Sequence, residues 1–275
     1  MNFSPAALGV ALLLSGHGLR KKSLSLSGAA AAFLAGYAHL ANPLKLFGVS
    51  LIVFYLLGSR ATKVKADVKA KLEDGVDPTK PQGNRNWVQV LSNSLPSLIA
   101  ALAYSRYVSN HPVTAVLSDR TTRALIYAAV FHFATSLGDT LASELGILAK
   151  TSPVSILTFK KVPPGTNGGI TVPGLVWSAL GGTIMGVTAV VDLLIESSIT
   201  SSQALQLVSR ASMAGLAGSL RTVYRDGKIL TDASKDHTGG EVVGVGRDIL
   251  SNSNVNLISC SLMALAGYWV GGQTV

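Results

Sequence analysis

Eight apolar segments, each closed by polar or charged residues, set what this chain can fold into. They are Pro5–Leu19, Leu26–Ala41, Leu44–Ser59, Val88–Tyr107, Thr122–Leu148, Val172–Glu196, Ala204–Leu220 and Val255–Val270. Several are shorter than the roughly 20 residues of a simple bilayer crossing, so six to eight spans are expected. Only 13% of the residues are charged and 48% are hydrophobic, where a soluble domain carries about a quarter charged. The expected fold is all-α: a polytopic transmembrane helix bundle forming a single integral membrane domain over residues 1–275. The 28 glycines suit helices that pack closely in lipid.

The basic residues fix an orientation. Let side A be the side reached after the first span. It receives Arg20–Lys22 and the loops 60–86, 149–171 and 221–254. These hold 3, 7, 3 and 5 of the 23 Lys and Arg; the remainder are Lys45, Arg106, Arg120, Arg123 and Arg210. Such a bias predicts that side A is cytosolic. The three loops are then a basic loop, a Gly-rich loop and a polar loop in the cytosol. The net charge of +9 thus belongs to topology, and no nucleic-acid partner is expected. In the first segment the charge follows the apolar run, the reverse of a signal peptide. That order predicts an uncleaved span with its N-terminus outside. No Arg- and Ser-rich transit segment precedes it, which favours the endoplasmic reticulum or another endomembrane over the plastid envelope. The single cysteine, Cys260, excludes an internal disulfide.

The polar residues inside the spans are the functional candidates. Val64, Val68 and Leu72 recur every four residues, predicting a short amphipathic helix in loop 60–86. In the fourth span Asn93 and Ser94 precede Pro96, a sequence that can kink a helix and free backbone groups to line a cavity. The fifth span carries HFATSLGDTLASELG. Its His132, Ser136, Asp139 and Ser143 share one helix face, with Thr140 and Glu144 beside it. Acids at membrane depth are expensive and mark functional sites. Lys160 and Lys161 then lead into VPPGTNGGITVPG, where Gly165, Thr166, Asn167, Gly168 and Gly169 form either a phosphate cradle or a plain tight loop. Asp192 and Arg210 are expected to form a structural ion pair. NSNVNLIS places Asn252 and Asn256 at the mouth of the last span. No HExxH, CxxC pair or nucleophile elbow occurs.

GDTLASELG resembles the A/G-D-T-x-A-S-E-x-G motif of an integral membrane family. That family holds the plant phytyl-phosphate kinases and the animal transmembrane protein 19 group. RKKSLSLSGAAAAFLAG, RNWVQVLSN, VPPGTNGGITVPGLVWSALGG and NSNVNLIS are similar to further stretches of it. The resemblance implies distant kinship with CTP-dependent dolichol and phytol kinases. The implied reaction is transfer of a phosphoryl group from CTP to an isoprenoid monophosphate. Asp139 and Glu144 become candidates for Mg²⁺ or for orienting the acceptor. The Gly165–Gly169 turn becomes the phosphate cradle, with Lys160 or Lys161 neutralising charge. Asn93, Ser136, Thr140, Ser143, Asn252 and Asn256 become candidate substrate- or nucleotide-binding positions. The lipid bilayer would hold the tail.

The chain departs from the family pattern after Leu220. GLAGSL runs directly into RTVYRDGK, where the family continues through a segment with a further acid. About ten residues are missing by comparison with that motif. Two other readings of the sequence follow: an ion- or proton-coupled transporter using Asp139 and Glu144, or an inactive membrane scaffold.

Overall fold

The computed structural model describes residues 3–66, 73–74, 84–111, 113, 115–149, 151–155, 159–162, 169–196, 199–217, 223–225, 228–230 and 252–273. Among them the chain is a helix bundle. Its helices are α1 (Pro5–Arg20), α2 (Leu26–Leu40), α3 (Leu46–Lys63), α4 (Trp87–Ser92), α5 (Leu95–Asn110), α6 (Arg120–Leu141), α7 (Val172–Glu196), α8 (Ser201–Leu216) and α9 (Asn252–Gln273). A π-helical turn, Ala142–Gly146, continues α6. Four of these stretches are long and apolar enough to cross a membrane: α3, α6 with its π turn, α7 and Ser253–Gln273 of α9. The 15-residue α2 is apolar but shorter.

Helix starts follow local chemistry. Ser4, Ser25, Asn86, Asp119 and Thr200 each accept a backbone N–H from the first turn of their helix, satisfying donors that a helix leaves orphaned. Helix α3 has no such side chain, because Lys45 occupies its cap. Its free N–H groups are met by the far end of α7 instead. Lys45 N–H donates to Glu196 at 2.8 Å, and Leu46 N–H donates to Asp192. The acids therefore sit at the positive end of the α3 dipole. The expected Asp192–Arg210 pair gives way to these partners, and Arg210 lies over the Tyr127 ring, 5.8 Å from its centroid.

Helix α6 is the axis of the bundle. Helices α3, α5, α7, α8 and α9 all pack on it, and Ile126, Ala129, Phe133, Ala134 and Leu137 are fully buried. A helix that is apolar all round belongs inside. Helices α7 and α8 join it through small residues, as does α9 at Gly267 and Gly271. A methyl group on Gly181 would sit 2.7 Å from Gly138 N, and one on Gly215 would sit 2.7 Å from Gly182 N. One on Gly182 would collide with the Ala211 carbonyl. Hydroxyls close the same seam: Thr135 donates to Ala214 O at 3.0 Å and Ser178 to Gly215 O at 2.5 Å.

The segments assigned to side A meet one another. Leu24 bridges Arg85, tying the first basic segment to loop 60–86. Strand β1 (Glu73–Asp74) pairs in parallel with β5 (Lys228–Leu230), which also pairs with β4 (Val223–Arg225). Loops 60–86 and 221–254 are thereby joined. In loop 149–171, β2 (Val154–Ser155) pairs with β3 (Gly169–Ile170). These short strands are the only strands among the described residues. Val68 and Leu72, on which the amphipathic helix rests, lie outside them, as does the departure after Leu220.

Candidate functional site

Two interrupted helices build the site. The fourth apolar segment is not one helix: it stops at Ser92 and restarts at Leu95, with Pro96 in the new first turn. Side chains satisfy the carbonyls that the break releases. Ser92 donates to Val88 O at 2.7 Å, Asn93 to Gln89 O at 2.9 Å and Ser94 to Val90 O at 2.9 Å. His132 Nε2 donates to Asn93 O at 3.1 Å, fastening the break to α6. This is a hydrogen-bonded bend, as the Asn–Ser–x–Pro sequence predicts.

The second interruption is the π turn. There Thr140 donates to Ser136 O at 2.8 Å and Ser143 to Thr140 O at 3.1 Å. A single π-helical turn inside an α-helix commonly marks a functional site. The wider turn places Asp139, Thr140, Ser143 and Glu144 together along one cavity wall. Gly146 ends the turn against Gly174, whose Cα would lie 2.8 Å from a methyl group there. Loop 149–171 therefore leaves and returns beside the acids.

The cavity holds ≈ 280 Å³. Asn93, Asp139, Thr140, Ser143, Glu144 and Asn256 all line it, six of the residues singled out from the sequence. Ser136 does not. It is buried behind them, 3.2 Å from Cys260 Sγ, in a packing contact. Lys160 and Lys161 are exposed on the turn between β2 and β3 and do not line the cavity. Gly169 is in β3, opposite Ser155. Gly165, Thr166, Asn167 and Gly168 lie outside the described residues, and so does the side chain of Asn252, which opens α9.

Arg85 and Gln89 also line the cavity, and sequence reasoning passed over both as site residues. Arg85 is the cationic side chain on its wall among the described residues. Its backbone is held on both sides: Arg85 N–H donates to Ser23 O at 3.0 Å and Ser25 N–H to Arg85 O at 3.0 Å. Any side chain at Gly28 would collide with that carbonyl, so the glycine lets the strand-like segment lie against α2. The available signal was the segment RNWVQVLSN itself: a charge two residues before a helix that is capped by Asn93.

The donor set can be tested for a metal. Among the described residues no three His, Cys, Asp or Glu side chains converge on one point, which argues against a closed, all-protein site. Two carboxylates with neighbouring hydroxyls do fit Mg²⁺, which takes one or two carboxylates and completes its shell with phosphate oxygens and water. Asp139 and Glu144 are the residues that would hold it.

The cavity has two characters. Arg85, Gln89, Asn93, Ser253, Asn256, Asp139 and Thr140 at the end of α6, and Ser143 and Glu144 of the π turn form a polar mouth near side A, and Ala11, Ala35, Leu40 and Leu51 form an apolar arm. Fold and cavity together define a multi-pass integral membrane protein with a cavity of mixed polar and apolar lining. The chain belongs to the family described as integral membrane protein DUF92, whose model matches residues 9–264. It is 34% identical over 266 residues to Protein PGR of Arabidopsis thaliana, covering 92% of this chain and 91% of that one. It is 29% identical over 171 residues to Protein VTE6, chloroplastic, of the same plant, covering 62% of this chain and 48% of that one. An uncharacterized membrane protein of Methanocaldococcus jannaschii is 31% identical over 140 residues, half of each chain. No solved structure matches.

Proposed function

We propose that this protein is a lipid-phosphate kinase, transferring the γ-phosphoryl group of CTP to an isoprenoid monophosphate at the cytosolic face of an endomembrane. The observation that carries the reading is the single cavity whose polar mouth holds Asp139, Glu144 and Arg85 and whose arm is apolar. The resemblance to the phytyl-phosphate kinases and the transmembrane protein 19 group, and the similarity to VTE6, point the same way.

Phosphoryl transfer asks a protein mainly for positioning and charge stabilisation. An oxygen of the acceptor phosphate bonds to the γ-phosphorus, the bond from that phosphorus to the β–γ bridging oxygen breaks, and CDP leaves with the electron pair. Arg85 holds the acceptor phosphate through a forked, charge-assisted contact. Asn93, Gln89 and Asn256 supply neutral donors that fix its orientation. Asp139 and Glu144 would hold Mg²⁺, which would supply charge neutralisation for the transfer. The Gly165–Gly169 turn and Lys160 or Lys161 are the nucleotide cradle that the resemblance contributes. Both helix breaks lie within about two turns of side A, where a soluble nucleotide arrives. A transporter would place its breaks at the midplane.

The test is a transfer assay on purified protein in nanodiscs. It uses labelled CTP or ATP, Mg²⁺ and a panel of isoprenyl monophosphates. Diphosphate made by the wild type and not by Asp139→Asn supports the reading. No product from any acceptor with either nucleotide contradicts it.

A further inference from the structure

We propose that the isoprenoid tail enters the cavity sideways, from the bilayer between α1 and α3, and that α2 measures its length. The inference rests on the isoprenoid-phosphate reading and adds how the site admits and selects its acceptor.

The first observation is the shape of the cavity. Its polar groups cluster where α4, the π turn and the start of α9 come together, at the side A end of each helix. Its apolar wall runs away from that mouth. On α2 the wall begins at Ala32 and ends at Leu40, about 12 Å further from side A. Leu51, more than a turn into α3 from its far end, faces the same space. An amphiphile with its phosphate among Arg85, Asp139 and Glu144 has this apolar wall available for its tail.

The second observation is how the walls are joined. Helix α1 packs on α2, while α3 packs on α2, α6 and α7. Yet α1 and α3 both line the cavity, through Ala11 and Leu14 on one side and Leu51 and Phe54 on the other. Leu12 and Leu13 of α1 and Leu56 of α3 are exposed, so both helices present apolar side chains outward. Exposed apolar side chains at membrane depth are what a lipid-facing rim requires. A tail passing between α1 and α3 never leaves an apolar medium, so no desolvation of the phosphate's partner chain is needed.

Third, the arm has small residues where a tail must pass and a larger one where it must stop. Ala32, Ala35 and Gly36 line the cavity along α2, and Leu40 is the lining residue of that helix furthest from side A. A methyl group on Gly36 would meet only Ala11 Cβ, at 3.8 Å, so this part of the α1–α2 contact has slack that the α6–α8 seam lacks. Replacing Ala32 by Leu places bulk midway along the arm. Replacing Leu40 by Ala extends it.

The test compares geranyl and geranylgeranyl monophosphate as acceptors in nanodiscs. Ala32→Leu is expected to raise KM for the geranylgeranyl acceptor about tenfold more than for the geranyl acceptor, with kcat on the shorter one retained. Leu40→Ala is expected to move the preference towards the longer tail. Equal proportional changes for both acceptors in both variants would overturn the proposal. A second readout needs no turnover and no variant. A prenyl monophosphate with a diazirine at its tail is photolysed with the wild-type protein, and the labelled residues are mapped. Labelling of residues 32–40 of α2 that geranylgeranyl monophosphate competes away supports the corridor. Labelling elsewhere, or labelling that does not compete, overturns it. If that labelling holds while no acceptor is phosphorylated, the kinase reading falls and the tail site stands.

Discussion

The two halves of this bundle are built on opposite rules. On one side, α6, α7 and α8 interlock through Gly138, Gly181, Gly182 and Gly215, where a methyl group at any position meets backbone within 3 Å. On the other, α1, α2 and α4 are half-buried around a cavity; Gly28 is pressed against the Arg85 carbonyl, but along the α1–α2 contact Gly36 has room for a methyl group. The acids Asp139 and Glu144 stand on the tight side, and the apolar arm lies on the loose side. A phosphoryl-transfer site needs its charged groups fixed before reaction, whereas a lipid acceptor needs a wall that it can slide past. The division of packing matches that division of labour.

The comparison can be broken most severely at the acids. Asp139→Asn keeps the shape of the side chain and removes its charge. It is expected to lower transfer at least about a hundredfold, with an unchanged elution profile and melting temperature. Arg85→Ala, on the loose wall, is expected to raise KM for the acceptor about tenfold or more with a smaller effect on kcat. Arg85→Lys restores only part of it, because lysine lacks the planar fork. Steady-state kinetics on both variants check this.

The packing contrast is sharpened by a pair of identical substitutions. Gly182→Ala is expected to cost about 1–3 kcal/mol through overpacking against α8. Gly36→Ala is expected to be neutral or to stabilise by up to about 1 kcal/mol through the unfolded chain. Thermal melting in the same detergent or nanodisc reads both. A smaller effect is expected at the far end of the bundle. Glu196→Ala removes the substitute cap of α3 and is expected to cost about 1 kcal/mol, without changing transfer.

The smallest effect is one of pH. Partial burial raises the Asp119 pKa, but hydrogen bonds from Thr122 and Tyr107 outweigh it and hold the carboxyl below its ordinary value. Its contribution is present above the unfolded pKa of about 3.9 and is lost as pH falls through the folded one. On acidification the wild type is expected to lose melting temperature more steeply than Asp119→Asn does.

Much of this architecture is legible in the residues. Spacing put Asp139 and Ser143 on one helix face with Thr140 and Glu144 beside it, and all four line the cavity. Asn93 and Ser94 before Pro96 announced the break in the fourth segment. The family resemblance pointed to Asn256. Other features were hidden because they depend on distant partners. Ser136 looks like part of the same stripe, but α9 brings Cys260 against it. Asp192 suggested a pairing with Arg210, but Lys45 leaves α3 without a cap, and Asp192 and Glu196 meet its free N–H groups. Arg85 read as one more loop charge, because only its hydrogen bonds to Ser23 and Ser25, across sixty intervening residues, set it on the cavity wall.

A structure of the protein in nanodiscs with geranylgeranyl monophosphate, Mg²⁺ and a non-transferable CTP analogue decides whether this cavity is the acceptor site. The lipid phosphate is expected among Arg85, Asp139 and Glu144, with the tail along α2 towards Leu40. A phosphate bound anywhere else, with this cavity filled only by bilayer lipid, would contradict it.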